Sequence, residues 1–185
     1  MKRTKQLHEK LIEQCKKNDR KSQLKLYNLY CNSMFIVAIR YIKNKVHAED
    51  VLQEAFLKAF KNLNTFKGEV AFVTWLKKIV INQCIDTLKK KKIDLVLLEE
   101  NSHEPIIEDD DNWNVASFVM AKQVIETINS LKEKYRLVLT LYLLEGYDHQ
   151  EIAEILGITE VTSRTHLLRG KKLVQQQLKS IYEKK

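Results

Sequence analysis

Asp50 and Glu54 stand four residues apart, with His47 just ahead of them, so on a helix the two carboxylates share one face. Paired carboxylates beside an imidazole are raw material for a metal site or for general acid–base catalysis. A metal site built on one helix needs His at ligand spacing and further ligands from elsewhere, and no second cluster answers this one. Cys15, Cys31 and Cys84 are odd in number, far apart and without a C-x-x-C pair, which speaks against zinc. No metal and no cofactor are expected. The patch Glu49, Asp50, Gln53 and Glu54, set in a basic module, reads instead as a docking surface for a protein partner with a basic face.

A second set of polar residues follows Gly157. Glu160, Thr162, Ser163, Arg164 and His166 can all hydrogen-bond base edges or phosphates, while Arg169, Lys171 and Lys172 lie further along, at backbone-contact distance. The residues ahead of them supply a helix-turn-helix. Gly146 closes one helix, and Asp148 with Glu151 three residues on forms a capping-box start for a short one. Gly157-Ile158-Thr159 is a tight turn, with Thr159 able to cap the helix 160–178. Ala153 is small where the helices cross and Ile158 fills the wedge, so the second helix suits the major groove.

The elements that position these groups are helices. The chain has 185 residues, and its four Gly and single Pro are too few for the corners of a sandwich or barrel. Apolar residues at 44% and charged ones at 30% indicate folded rather than disordered material. No apolar run approaches the roughly 20 residues that cross a bilayer. The start Met1-Lys2-Arg3-Thr4-Lys5-Gln6-Leu7-His8 lacks an export signal, so reduced thiols and a cytoplasmic setting are expected.

Charge divides the chain. Residues 1–92 hold 21 basic and 8 acidic groups (+13), and residues 118–185 hold 11 and 8 (+3). Between them Ile93–Ser117 has eight acids, no Lys or Arg, and Pro105. This predicts an all-α protein with domains at 1–92 and 118–185 and a flexible acidic linker at 93–117. Basic bodies of this kind fit a polyanion such as nucleic acid.

Three- and four-residue apolar spacing predicts helices over Leu24–Asn44, His47–Leu63, Ala71–Lys92, Val119–Ser130 and Lys134–Leu144, with a weaker one at Lys2–Lys17. Leu26, Leu29, Tyr30, Phe35, Val37, Ala38 and Tyr41 should face inward in the first. Phe72, Trp75, Leu76, Ile79, Val80, Ile85 and Leu88 should do so in the third, whose basic edge is Lys77, Lys78 and Lys89–Lys92.

The run His47–Phe60, with its A-E-D-x-x-Q-E-x-F pattern, resembles region two of bacterial sigma factors. Phe66-Lys67-Gly68-Glu69, Thr74-Trp75-Leu76 and Asn82-x-x-x-Asp86 resemble the segment that follows it. Leu144-Glu145-Gly146-Tyr147 with Gln150–Ile158 is similar to region four, and no regions one and three are present. The resemblance is to the extracytoplasmic-function branch of the sigma-70 family, over about residues 24–92 and 122–178.

The resemblance implies a transcription initiation factor rather than an enzyme. Its partners would be bacterial core RNA polymerase and promoter DNA, both duplex and melted non-template strand, with an anti-sigma protein as a further candidate and no membrane insertion. Glu49, Asp50, Gln53 and Glu54 would dock on the beta-prime clamp helices. Phe66, Lys67, Gly68, Glu69, Asn82, Asp86, Lys89 and Lys90 would serve the minus-ten element. Thr159, Glu160, Thr162, Ser163, Arg164, His166, Arg169, Lys171 and Lys172 would serve the minus-thirty-five element, with the beta flap held in an apolar groove. Two departures stand out: Ile81 where the family usually has arginine, implying a lost DNA contact, and Gly170 where alanine is common, implying a broken recognition helix. A conventional helix-turn-helix regulator is the rival reading; it accounts for residues 134–178 and leaves the acidic docking helix unexplained. A nucleic-acid-processing enzyme would need a carboxylate or Cys/His cluster that the sequence lacks.

Overall fold

The computed structural model describes residues 7–93 and 121–182, and these are helical with no strand among them. The start of the leading helix and nearly all of the acidic linker expected at 93–117 lie outside the described residues. The chain divides into two units, Met1–Glu100 and Asn101–Lys185.

The first unit contains α1 (Glu9–Lys16), α2 (Arg20–Ile42), α3 (Lys45–Lys61) and α4 (Phe72–Ile93), with a 3-10 turn at Leu63–Thr65. Side-chain caps set two of the starts. The Asp19 carboxylate accepts from the Ser22 N–H at 3.1 Å at the head of α2, and Asn44 Oδ1 accepts from the His47 N–H at 3.1 Å at the head of α3. Helices α2, α3 and α4 pack on one another, and α1 lies on α2 with Ile12 and Cys15 buried.

Their shared core includes Leu26, Met34, Val37, Ala38 and Tyr41 from α2, Ala48, Val51, Leu52, Ala55, Phe56 and Ala59 from α3, and Phe72, Leu76, Val80 and Ile85 from α4. One end is aromatic: Phe72 lies 5.5 Å from Phe66, 5.7 Å from Trp75 and 5.3 Å from Tyr30, ring centre to ring centre. Two expectations change here. Leu29 is half out in solvent, at 53% exposure, while Met34, further along α2, is buried. Ile81 is wholly buried, so it serves the core rather than the surface.

Burial also silences the thiols. It raises Cys84 to about 12 and, with the Asp19 charge added, Cys15 to about 11, so neither is a nucleophile at neutral pH.

The second unit contains α5 (Ala121–Ser130), α6 (Glu133–Leu139), α7 (His149–Leu156) and α8 (Glu160–Tyr182). Helix α6 does not run on to Leu144 as the spacing predicts. It widens into a π turn at Thr140–Leu144, where the Glu145 N–H donates to the Thr140 carbonyl at 3.2 Å, five residues back. Leu144 is consequently half-exposed rather than inward. Asp148 caps α7 with a full capping box: its carboxylate accepts from the Glu151 N–H at 2.8 Å, and the Glu151 carboxylate accepts from the Asp148 N–H at 3.1 Å. Gly157 follows at φ +71°, a left-handed turn that a side chain would strain.

Helix α8 is continuous for 23 residues and packs against α5, α6 and α7. Gly170 does not break it. A Cβ built on Gly170 would meet Leu139 Cδ1 at 2.7 Å, so the glycine lets α8 pack closely on α6.

Candidate functional site

Two surfaces carry the polar residues singled out above. On α3 every inward position is apolar, which leaves Glu49, Asp50, Gln53 and Glu54 all exposed on the other face. His47 Nδ1 lies 4.0 Å from Asp50. The Glu54 carboxylate accepts from the Gln83 amide of α4 at 2.7 Å, and Lys58 lies 3.9 Å from Asp86 of α4. Leu57, at 70% exposure, lies one turn beyond this acidic face. Sequence reading passed over Leu57 and Gln83. The signal for Leu57 was its register, three and four residues beyond Glu54 and Gln53 and out of step with the buried stripe.

The loop after the 3-10 turn splits the residues expected at the minus-ten element. Lys67 and Glu69 are exposed, whereas Gly68 is buried at φ +76°. Phe66 is 5% exposed and sits between Phe72 and Trp75, with its carbonyl accepting from Lys16 Nζ at 3.4 Å. Its ring therefore holds the loop in place and is not offered to DNA, which corrects the expectation. Trp75 is half-buried in the same cluster, against Phe66 and Phe72 as expected. On α4, Asn82 and Lys89 are half-buried while Asp86 and Lys90 are exposed.

On α8 the first turn is capped as expected, with Thr159 Oγ1 accepting from the Thr162 N–H at 3.1 Å. Thr159, Glu160 and Arg164 are exposed, Thr162 is half-buried, and Arg164 donates to Glu160 at 3.2 Å. His166 is half-buried, its ring edge-on to Tyr135 of α6 at 5.6 Å. Arg169, Lys171 and Lys172 are half-buried along the same helix, and Nε of Arg169 is itself buried.

Ser163 is different: it is wholly buried, and its Oγ lies 2.9 Å from Nδ1 of His149. The reading of Ser163 as a base contact is revised on that ground. Its inward place was visible in the sequence, since Ser163, Leu167, Gly170, Val174 and Leu178 repeat at three- and four-residue spacing and are all buried. Its partner His149 was read only as part of a cap. Burial lowers His149 below its ordinary 6.5, and the Arg164 charge adds to this, so the ring is neutral at pH 7.

Among the described residues no group of three or more His, Cys, Asp or Glu is arranged to hold a metal, and no helix is long and apolar enough to cross a membrane. The arrangement presents two polar faces, one acidic on a basic module and one on a helix-turn-helix.

Comparison with known proteins matches both units. The family profile described as Sigma-70 region 2 covers residues 26–93, and that described as Sigma-70, region 4 covers residues 121–174. The ECF RNA polymerase sigma factor SigW of Bacillus subtilis is 31% identical over 181 residues, covering 93% of this chain and 97% of the relative. The ECF RNA polymerase sigma-E factor of Escherichia coli K12 is 28% identical over 180 residues, covering 92% and 94%. Among solved structures, the sigma factor RpoE of Bartonella quintana, in complex with the anti-sigma factor NepR, matches with a TM-score of 0.53 at 19% identity, over 84% of this chain and 95% of that one. CnrH, in complex with the cytosolic domain of CnrY, matches at 0.51 and 18%, over 92% and 96%. The chain belongs to the sigma-70 family, among the ECF RNA polymerase sigma factors.

Proposed function

We propose that this sigma factor docks on core polymerase through Glu49, Asp50, Gln53, Glu54 and the exposed Leu57 of α3, meets the minus-ten element with Lys67, Glu69 and the basic edge of α4, and reads the minus-thirty-five element with α8. The observation that carries the docking role is the exposure of the whole acidic face of α3 in a unit whose net charge is strongly positive. On α8, Thr159, Glu160, Thr162 and Arg164 are available to bases, and Arg169, Lys171 and Lys172 to phosphates. Tyr142 and Leu143, at 37% and 36% exposure on the π turn, form the apolar patch offered to the beta flap. The chain itself carries out no catalytic step; the bond-making chemistry belongs to the polymerase, in the cytoplasm. An anti-sigma protein is a second candidate partner, as the two solved relatives were each captured with a bound protein.

The energetics agree with a division of labour. Extruding a base costs a few kcal/mol, which pocket and phosphate contacts must offset. Two modest DNA contacts on one chain gain from effective concentration, so promoter spacing is tested by both at once. Free protein should bind promoter DNA weakly and with steep salt dependence, and core polymerase should tighten that binding greatly. The deciding experiment replaces Asp50 by Arg and measures affinity for core polymerase and run-off transcription. Loss of both with an unchanged melting curve supports docking through α3; full transcription by Asp50→Arg ends it. The conventional-regulator reading predicts instead a dimer that protects duplex operators without polymerase.

A further inference from the structure

We propose that His149 is a positioning residue for the recognition helix, setting the rotation of α8 on α7 through its bond to Ser163. The inference rests on the reading of α8 as the helix that meets DNA.

Two contacts fix the His149 ring, and its backbone is fixed as well. Its backbone begins α7 immediately after Asp148, whose capping box is complete. Its face is stacked on Tyr142 of the π turn, with ring centres 5.0 Å apart and planes 27° apart. Its edge meets Ser163 Oγ at 2.9 Å. Ser163 lies wholly buried between Thr162 and Arg164, in the turns of α8 that carry the outward polar groups. Apolar packing between two helices tolerates small slips, whereas a hydrogen bond fixes distance and direction. A buried hydroxyl is also destabilised when it has no partner, so the bond holds one arrangement of the helix pair above its neighbours. Turning α8 about its axis would break this bond and, in the same movement, shift Glu160, Thr162 and Arg164 relative to the groove.

The test uses full-length protein with core polymerase, on two templates that differ only in an intact or scrambled minus-thirty-five element. The readout is the ratio of initiation on the two, taken well below the melting temperature. His149→Phe keeps a ring for Tyr142 and removes Nδ1; His149→Asn puts an amide near the Nδ1 position. His149→Phe is expected to lower the ratio at least fivefold with core affinity and helicity unchanged, and His149→Asn to regain most of it. A His149→Phe ratio equal to wild type, whatever its melting temperature, overturns the proposal, as does an Asn variant no better than Phe. Should His149→Phe fail to fold, His149→Phe with Ser163→Ala removes both polar partners; a fivefold loss there supports the proposal and a wild-type ratio refutes it. A wild-type ratio of one is a different failure: it overturns the role of α8 itself and the inference with it.

Discussion

Helices α3 and α8 each hold one face inward and offer polar groups on the other, yet they separate the two duties differently. On α3 the buried residues are alanine, valine, leucine and phenylalanine, and the docking candidates are all in solvent. On α8 the stripe that packs inward includes Ser163 and Gly170, and His166 leans on Tyr135. On the proposed roles, docking and packing fall to separate residues in the first unit, Glu54 with its bond to Gln83 excepted, and to neighbouring or shared ones in the second. Surface changes on α3 should therefore alter affinity without altering stability, while changes on α8 should alter both.

The largest effect expected is on the core that lets α3 be so divided. Phe72→Ala removes a ring that is 4% exposed and touches Tyr30, Phe66 and Trp75, and should destabilise the first unit by about 3–5 kcal/mol. Calorimetry should show the first unit's transition displaced or lost and the second unit's unmoved. Next is Gly170→Val, which drives a branched side chain into Leu139 and should cost about 1–3 kcal/mol, read as a lower melting temperature of the second unit. Initiation that depends on the minus-thirty-five element should fall with it, and Leu139→Ala in the same chain should restore part of both. Loss of stability with full use of that element would break the comparison.

Leu57→Ala tests the other side of it. Core affinity should weaken about tenfold, roughly 1.4 kcal/mol, with no change in melting temperature. A fall in stability of similar size would show that α3 mixes its duties after all.

The smallest effect concerns pH, and its sign is opposite in the two units. His149 is held below 6.5 by burial and by Arg164, with Lys171 acting in the same sense and Asp148 and Glu160 opposing. The folded second unit thus binds fewer protons than the unfolded one. The stability contributed by His149 is complete above pH 6.5 and is lost as pH falls below that value. Cys15 and Cys84 are raised from 9.0 to about 11 and about 12, so the stability they contribute to the first unit is complete below pH 9 and lost as pH rises beyond it. Melting followed unit by unit should show acid lowering the second first and alkali the first.

The parts that could be read in advance were those written in local chemistry. Asp148 and Glu151 spell a capping box that is present, Gly157 a left-handed turn that is present, and the apolar stripe of α3 a face that is buried. What escaped depends on residues distant in the chain. Gly170 looks like a weak helix residue until Leu139 is beside it. Ser163 looks like a DNA contact until its partner His149, 14 positions away, claims the hydroxyl. Phe66 looks available in a loop motif until Phe72 and Trp75 enclose it. The π turn at Thr140–Leu144, which lies against α7, has no local composition that announces it.

That wide turn also governs how the protein can change length. An ordinary helix advances about 100° per residue, and a π turn holds one residue more than the regular winding needs. Deleting one residue from 140–144 would remove that surplus and let the segment close into a uniform coil with the residues downstream near their present bearing, whereas the same deletion in a regular helix would swing them by about 100°. Loss of a single residue should therefore be borne better within 140–144 than within the regular turns of α7 or α8, where it would fall on the bearing of the helix.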